Sequence, residues 1–244
     1  MKPSRQDVDE TQTSGGRGAT DESLPLVSLQ NISLGYDSAP VLQNVSLAIY
    51  PGNLMGLAGP NGSGKTTLFR AILGLLPILG GSLSRNCPLS NFGYVPQSAA
   101  LDPQFPLSVG EIVEMGAYGR VKPYQPLPAE EKKQIEEVLD QVGMRHFAAK
   151  SFFACSGGQK QRILIARALM VNPKIMILDE PLSGVDEESR RSITDVLIKL
   201  TCDKNIAVFF SSHDLEMVQR VADKIVRVDK GKMWFEERKM SLAP

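Results

Sequence analysis

An apolar run from Leu54 to Ala58 leads into Gly59-Pro60-Asn61-Gly62-Ser63-Gly64-Lys65-Thr66, and a helical stretch from Thr66 to Leu75 follows. No other feature restricts the fold as much. Glycines let a backbone take positive φ and approach a bound group closely, and successive N–H groups of such a loop point inward as donors. The helix that opens at Lys65 adds the positive end of its dipole. Lys65 brings a cation, and Thr66 a hydroxyl of the kind that binds magnesium. Strand, glycine loop and helix in this order make a phosphate cradle, and that context separates the segment from an ordinary glycine turn.

The remainder of the chain supplies the sheet that such a cradle needs. Ile175 to Leu178 and Ile206 to Phe210 are short continuous apolar runs, the pattern of parallel strands buried on both faces. Between and around them, Gln159 to Val171, Asp186 to Leu200 and Asp214 to Ala222 read as helices; Ile193, Val196, Leu197 and Leu200 share one face of the second. Ile225 to Val228 and Met233 to Phe235 read as strands joined by a turn at 229–232. Strands alternating with helices imply an α/β fold with a mostly parallel sheet and flanking helices.

Two regions depart from that alternation. Near the start, Val27 and Leu29, then Ile32 and Leu34, alternate with a slip of one, predicting a bulged strand; Val45, Leu47 and Ile49 alternate again. Six prolines then fall between Pro96 and Pro128 and interrupt regular structure, before Ile135, Val138, Leu139 and Val142 mark an amphipathic helix over 130–144. The expected organisation is a core of residues 25–97 and 159–235, a helical subdomain over 98–158, and tails at 1–24 and 236–244. The first tail is rich in Gly, Ser and Thr without apolar period and is expected to be disordered.

Composition narrows the partners. With 244 residues and 42% apolar content the chain can bury a full core without disulfides or metal. Its 27 basic and 27 acidic residues leave no excess to neutralise phosphates over a long surface, so nucleic acid is not an expected partner. Three cysteines, Cys87, Cys155 and Cys202, show no CxxC spacing, which suggests neither a disulfide framework nor structural zinc and fits a reducing compartment. The opening MKPSRQDVDE does not read as a signal peptide. The most apolar stretch, Ala71 to Leu79, is far short of the roughly 20 residues that span a bilayer, so any membrane role is expected to be peripheral.

Two further motifs carry chemistry. Asp179 and Glu180 follow the strand 175–178 and therefore stand at the carboxyl edge of the sheet, where open α/β folds bind ligands. Asp179 can hold Mg²⁺ and Glu180 can polarise an attacking water. Ser156-Gly157-Gly158-Gln159 opens a helix with a hydroxyl and glycine amides, a second anion-binding helix end. One nucleotide has no obvious use for two such ends in one chain.

In this order, the phosphate loop, SGGQ and Leu178-Asp179-Glu180-Pro181 resemble the ATP-binding cassette (ABC) ATPases over roughly residues 26 to 235. The resemblance implies a P-loop NTPase core with an N-terminal antiparallel β part and an inserted helical subdomain. It implies ATP and Mg²⁺, with Gly59 to Thr66 and the adjoining Thr67 on the phosphates, and Thr66, Gln97 and Asp179 toward the metal. Tyr36, by itself an ordinary strand aromatic, looks like the ring that stacks on adenine. Gln97, in Gly93-Tyr94-Val95-Pro96-Gln97, looks like the glutamine that reaches Mg²⁺ and the γ-phosphate. His213 resembles the histidine that contacts the γ-phosphate, and Ser183-Gly184-Val185-Asp186 the loop that crosses between subunits. Catalytic roles fall on Glu180, His213, Gln97 and Lys65.

The same resemblance implies a head-to-tail homodimer in which ATP on Lys65 and Thr66 of one copy meets Ser156 to Gln159 of the other. It also implies integral permease subunits, a separate substrate-binding protein, and a peripheral place on the cytoplasmic face of the membrane. Residues 102–109 (DPQFPLSV) and 113–116 (VEMG), with the Ser183 to Asp186 loop, look like the branch serving manganese, zinc or iron uptake. One departure is Cys155, where the family has Leu before SGGQ; as a small hydrophobe it alters packing and leaves the phosphate donors in place. Alternatives are a soluble cassette ATPase, as in iron–sulfur assembly, an importer of a different substrate, and a non-hydrolysing nucleotide-binding regulator; the presence of Glu180 and His213 speaks against the last.

Overall fold

The structure, a computed structural model, describes residues 24–36, 39–97, 106–121 and 124–236. The expected tails, apart from Leu24 and Glu236, lie outside the described residues, and so do residues 102–105 of the uptake-type motif. Nine strands form two sheets among the described residues. β1 (Val27–Tyr36), β2 (Ala39–Ile49) and β4 (Gly80–Arg85) make an antiparallel sheet in the order β2-β1-β4. β3 (Leu54–Ala58), β5 (Phe92–Val95), β6 (Ile175–Leu178), β7 (Ala207–Ser212), β8 (Lys224–Asp229) and β9 (Lys232–Glu236) make the second, in the order β5-β6-β7-β3-β8-β9. Its strands are parallel except for the β8–β9 hairpin. The predicted bulge in β1 is present: the register with β2 slips between Leu29 and Ile32, where Asn31 takes φ +48°.

Side chains alternate across the central strands and so build two cores at once. Met55 and Leu57 of β3, Ile175 and Ile177 of β6, and Ala207 and Phe209 of β7 face α1 (Lys65–Ile72) and the antiparallel sheet. Met176 and Leu178, with Val208 and Phe210, face the opposite side. That side is covered by α2 (Val109–Glu114), α3 (Ala129–Gln141), α4 (Gly157–Leu169), α5 (Glu187–Lys204) and α6 (Leu215–Val221). The helices of the proline-rich middle section thus share a core with one face of the sheet: Val109, Ile112, Val138 and Leu139 belong to the same cluster as Leu178 and Phe210.

Several boundaries differ from the sequence reading. α1 stops at Ile72 rather than Leu75, because Gly74 turns the chain at φ +74° and leaves Leu75 exposed. α2 was hidden by its flanking prolines. It starts from a capping box in which Ser108 Oγ accepts from Glu111 N–H and the Glu111 carboxylate accepts from Ser108 N–H at 2.7 Å. α4 opens at Gly157, two residues before Gln159, with Ser156 as its cap. β4 and β5 carry glycines and little alternation, and only pairing with β1 and β6 reveals them. Among the described residues no helix is long and apolar enough to cross a membrane.

α1 is pressed onto the sheet by Phe69, whose ring meets Phe209 edge-on at 5.1 Å and 73°. Both rings are fully buried. Phe209→Ala is expected to lower unfolding free energy by about 3–5 kcal/mol, from lost burial and the cavity beneath α1. Urea denaturation followed by far-UV circular dichroism measures it, and a loss below 1 kcal/mol would contradict this packing.

Candidate nucleotide site

Three strand ends deliver the site to one edge of the parallel sheet. β3 runs into residues 59–64, β6 into Asp179-Glu180 and β7 into His213. Gly59 N–H donates to Ser212 O at 3.1 Å, tying the loop to β7. Gly62 and Gly64 lie at φ +78° and +104°, a backbone that L side chains rarely adopt; at Gly64 a Cβ would also press on Leu42 at 2.9 Å. Gly64 caps α1, whose first turn carries no acidic side chain to cancel its positive dipole end.

Lys65 is 6% exposed and engages three acceptors. Its Nζ donates to Gly59 O at 2.7 Å and Pro60 O at 3.1 Å, and pairs with Glu180 Oε1 at 3.2 Å. An ammonium has three N–H donors, so a triphosphate must compete for them. Glu180 Oε1 makes this ion pair and no directed hydrogen bond. Oε2 lies 2.8 Å from His213 Nδ1, within hydrogen-bond reach. Cation, carboxylate and imidazole therefore form one chain, Lys65–Glu180–His213, drawn from three separate elements.

The backbone at Glu180 takes φ +51°, a left-handed turn for a non-glycine residue. Ser211 at the end of β7 holds it: Glu180 N–H donates to Ser211 Oγ at 2.9 Å, and Ser211 Oγ donates to Asp179 Oδ1 at 2.6 Å. Asp179 Oδ2 accepts from Thr66 Oγ1 at 2.6 Å. One fully buried hydroxyl thus positions both acids.

A cleft of about 540 Å³ lies along this edge. Tyr36, Asn61, Gly62, Gly64, Lys65, Thr66, Thr67, Gln97, Asp179 and Glu180 line it. Gly59 and Pro60 act through their carbonyls on Lys65, and Ser63 Oγ is buried without a hydrogen-bond partner. Tyr36 is 44% exposed and its hydroxyl accepts from Arg70 at 3.1 Å. Burial first, then the Asp179 charge, pushes the Tyr94 hydroxyl above its usual range, with Arg70 opposing. Ser156, Gly157, Gly158, Gln159 and Asp186 do not line the cleft. Ser156 instead caps α4, accepting from Gln159 N–H at 3.3 Å while its own N–H donates to Gln159 Oε1 at 3.1 Å. A hollow of about 620 Å³ between α5 and α6 holds none of the predicted residues.

The donor set fits the groups that the motifs imply. Thr66 Oγ1 and Asp179 Oδ2 are adjacent hard oxygens of the kind that Mg²⁺ selects, and Gln97 adds an amide oxygen on the same cleft. Sequence reasoning missed Ser211, Arg70 and Val41, which also lines the cleft. Ser211 had a signal, as the first of two serines that close an otherwise apolar buried strand.

An α/β sheet with a glycine loop at the end of one strand and Asp-Glu at the end of another defines a nucleotide-binding P-loop NTPase. The ABC transporter family model matches residues 42–183, and the chain belongs to that family. It is an ATPase coupled to transport. It is 37% identical to the manganese transport system ATP-binding protein MntB of Bacillus subtilis, over 86% of this chain and 85% of that one. It is 39% identical to the zinc import ATP-binding protein ZnuC of Yersinia pestis, over 82% and 75%. Among solved structures, a chain of an ABC transporter described as metal-chelate type, in an inward-facing conformation, superposes with a TM-score of 0.82 at 29% identity, over 90% of this chain and 86% of that one.

Lys65 and Glu180 are buried charges facing each other, and removing one partner strands the other. Lys65→Ala is expected to cost about 3 kcal/mol of stability, and adding Glu180→Gln to recover part of it. Chemical denaturation of the four proteins of the cycle checks this. Additive losses would show that the pair is not coupled.

Proposed function

We propose that this chain is the energy-coupling subunit of an importer for a transition-metal ion, with manganese and zinc the leading substrates and iron the third. It works as a head-to-tail homodimer at the cytoplasmic face of the membrane, on integral permease subunits served by a separate substrate-binding protein. The observation that carries the substrate is similarity along more than four-fifths of the chain to ATP-binding proteins of manganese and zinc uptake systems. The head-to-tail arrangement is supported by the serine–glycine end of α4, which is kept off the chain's own cleft.

In this reading the amides of residues 59–66 and the α1 dipole hold the triphosphate, and Lys65 exchanges its loop carbonyls for β- and γ-phosphate oxygens. Thr66, Asp179 and Gln97 hold Mg²⁺, which when bound neutralises phosphate charge. Tyr36 offers its exposed face to the adenine. Glu180 orients a water and takes its proton as the water oxygen bonds to the γ-phosphorus; the bond to the β,γ-bridging oxygen breaks and ADP leaves with that electron pair. His213, held against Glu180, stabilises charge at the γ-phosphate. Loss of the γ-phosphate removes donors' shared target, and the two copies part, which is the mechanical output.

Glu180→Gln is expected to retain ATP binding and lose at least about a hundredfold in turnover. Cells lacking the chain are expected to lose manganese or zinc accumulation, measured element by element, with recovery on return of the parent and not of Glu180→Gln. Unchanged accumulation of every element would remove the metal reading and leave the ATPase standing.

A further inference from the structure

The two glycines of Ser156-Gly157-Gly158-Gln159 answer to different constraints. A Cβ built on Gly157 would lie 3.7 Å from Gly184 O and 4.0 Å from Val185 Cγ1, ordinary contacts. A Cβ on Gly158 would lie 2.1 Å from Ser189 Oγ and 2.2 Å from Ser189 Cβ, distances at which something must shift. Gly158 is in α4 and is not among the positive-φ residues, so its backbone does not demand glycine; only space does. The space is taken by one side chain on α5.

That side chain is itself fixed. Ser189 N–H donates to Asp186 Oδ1 at 2.8 Å, and Ser189 Oγ donates to Asp186 Oδ2 at 2.7 Å. These two bonds, backbone first, hold the Asp186 carboxyl below its usual range. Asp186 ends the Ser183 to Asp186 loop, whose first residue donates through Ser183 N–H to Glu180 O at 3.1 Å. The contact sequence is therefore His213, Glu180, the 183–186 loop, Ser189, Gly158 and the Ser156 cap. It runs unbroken from the chain's own carboxylate to the anion-binding helix end that the cleft does not use.

We propose that Ser189 is a positioning residue: seated on Gly158 and clamped by Asp186, it keeps the serine–glycine end of α4 in register with the loop that follows Glu180. A nucleotide gripped by a second copy at Ser156 then reports on the first copy's own site through Ser189. This rests on the head-to-tail dimer reading. Packed elements with little free volume transmit such displacements, and only a coupling measurement turns contiguity into coupling.

The test uses the full chain with Gly158→Ala, Ser189→Gly, the double variant, and Ser189→Ala. ATP turnover is measured against ATP concentration, nucleotide binding to the monomer by fluorescence titration, and Mg-ATP-dependent dimerisation by light scattering in a Glu180→Gln background. Gly158→Ala is expected to lose at least about tenfold in turnover and to lose the dimer while still binding ATP. Ser189→Gly in the same chain is expected to restore turnover to within about threefold of the parent by vacating the space. Ser189→Ala keeps the room and loses the hydroxyl clamp; its turnover is expected to rise less steeply with ATP, at unchanged monomer affinity. A parent that dimerises but a Gly158→Ala variant that Ser189→Gly does not rescue would overturn the role of Ser189 alone. A parent that stays monomeric would overturn the dimer reading and this proposal together.

Discussion

The buried contact between Lys65 and Glu180 orders much else in the molecule. Two opposite charges, 6% and 4% exposed at their side chains, sit 3.2 Å apart at the end of a parallel sheet. Desolvation makes such a pair costly unless its remaining hydrogen-bonding capacity is met. Lys65 meets it with two loop carbonyls, and Glu180 with His213. The glycine loop, the left-handed turn at Glu180 and the end of β7 are all held by bonds to these two residues or to their neighbours. A non-glycine residue at φ +51° costs on the order of 1–3 kcal/mol, and it persists where its surroundings over-determine it. Ser211, bonded to Glu180 N–H and to Asp179, is that determinant.

The two cores explain why this edge is rigid. Alternate residues of β6 and β7 bury against α1 on one face and against α4 and α5 on the other. No strand end at the site can shift without disturbing packed side chains on both faces. Gly56 shows how close the second layer comes: a Cβ there would meet Val218 of α6 at 2.3 Å. α6, capped by Asp214, begins at Leu215, two residues after His213, so a helix seated on the strand that carries the loop anchors the backbone beside the imidazole.

What was legible in the sequence was what is local. The run Leu54–Ala58, its glycine loop and α1 declare themselves by composition and order, as do β6 and β7, whose unbroken apolar runs reflect burial on both faces. β4 and β5 were not legible, since Gly80, Gly81 and Gly93 break their pattern and their existence depends on partners distant in sequence. α2 was obscured because prolines dominate its approach, although Ser108 and Glu111 carried its signal. Within the site, Gly59 to Thr66 and Asp179-Glu180 were readable as chemistry. The service of one serine to both acids was not, because Ser211 reaches across strands more than thirty residues apart.

Cys155 shows how little that edge asks of the residue before the serine–glycine end. The residue is 6% exposed, and its Sγ donates weakly to Ser151 O at 3.6 Å, within its own turn. It joins the cluster that holds Phe152, Ile163 and Leu182, filling the role of a small apolar residue. The capping box of Ser156 and Gln159 is intact beside it. What α4 presents, a serine hydroxyl and two glycine amides at a positive helix end, is decided by that box and by the seat of Gly158 on α5. Neither depends on a branched side chain at 155. The departure from leucine therefore changes packing behind the helix end and leaves its face unchanged.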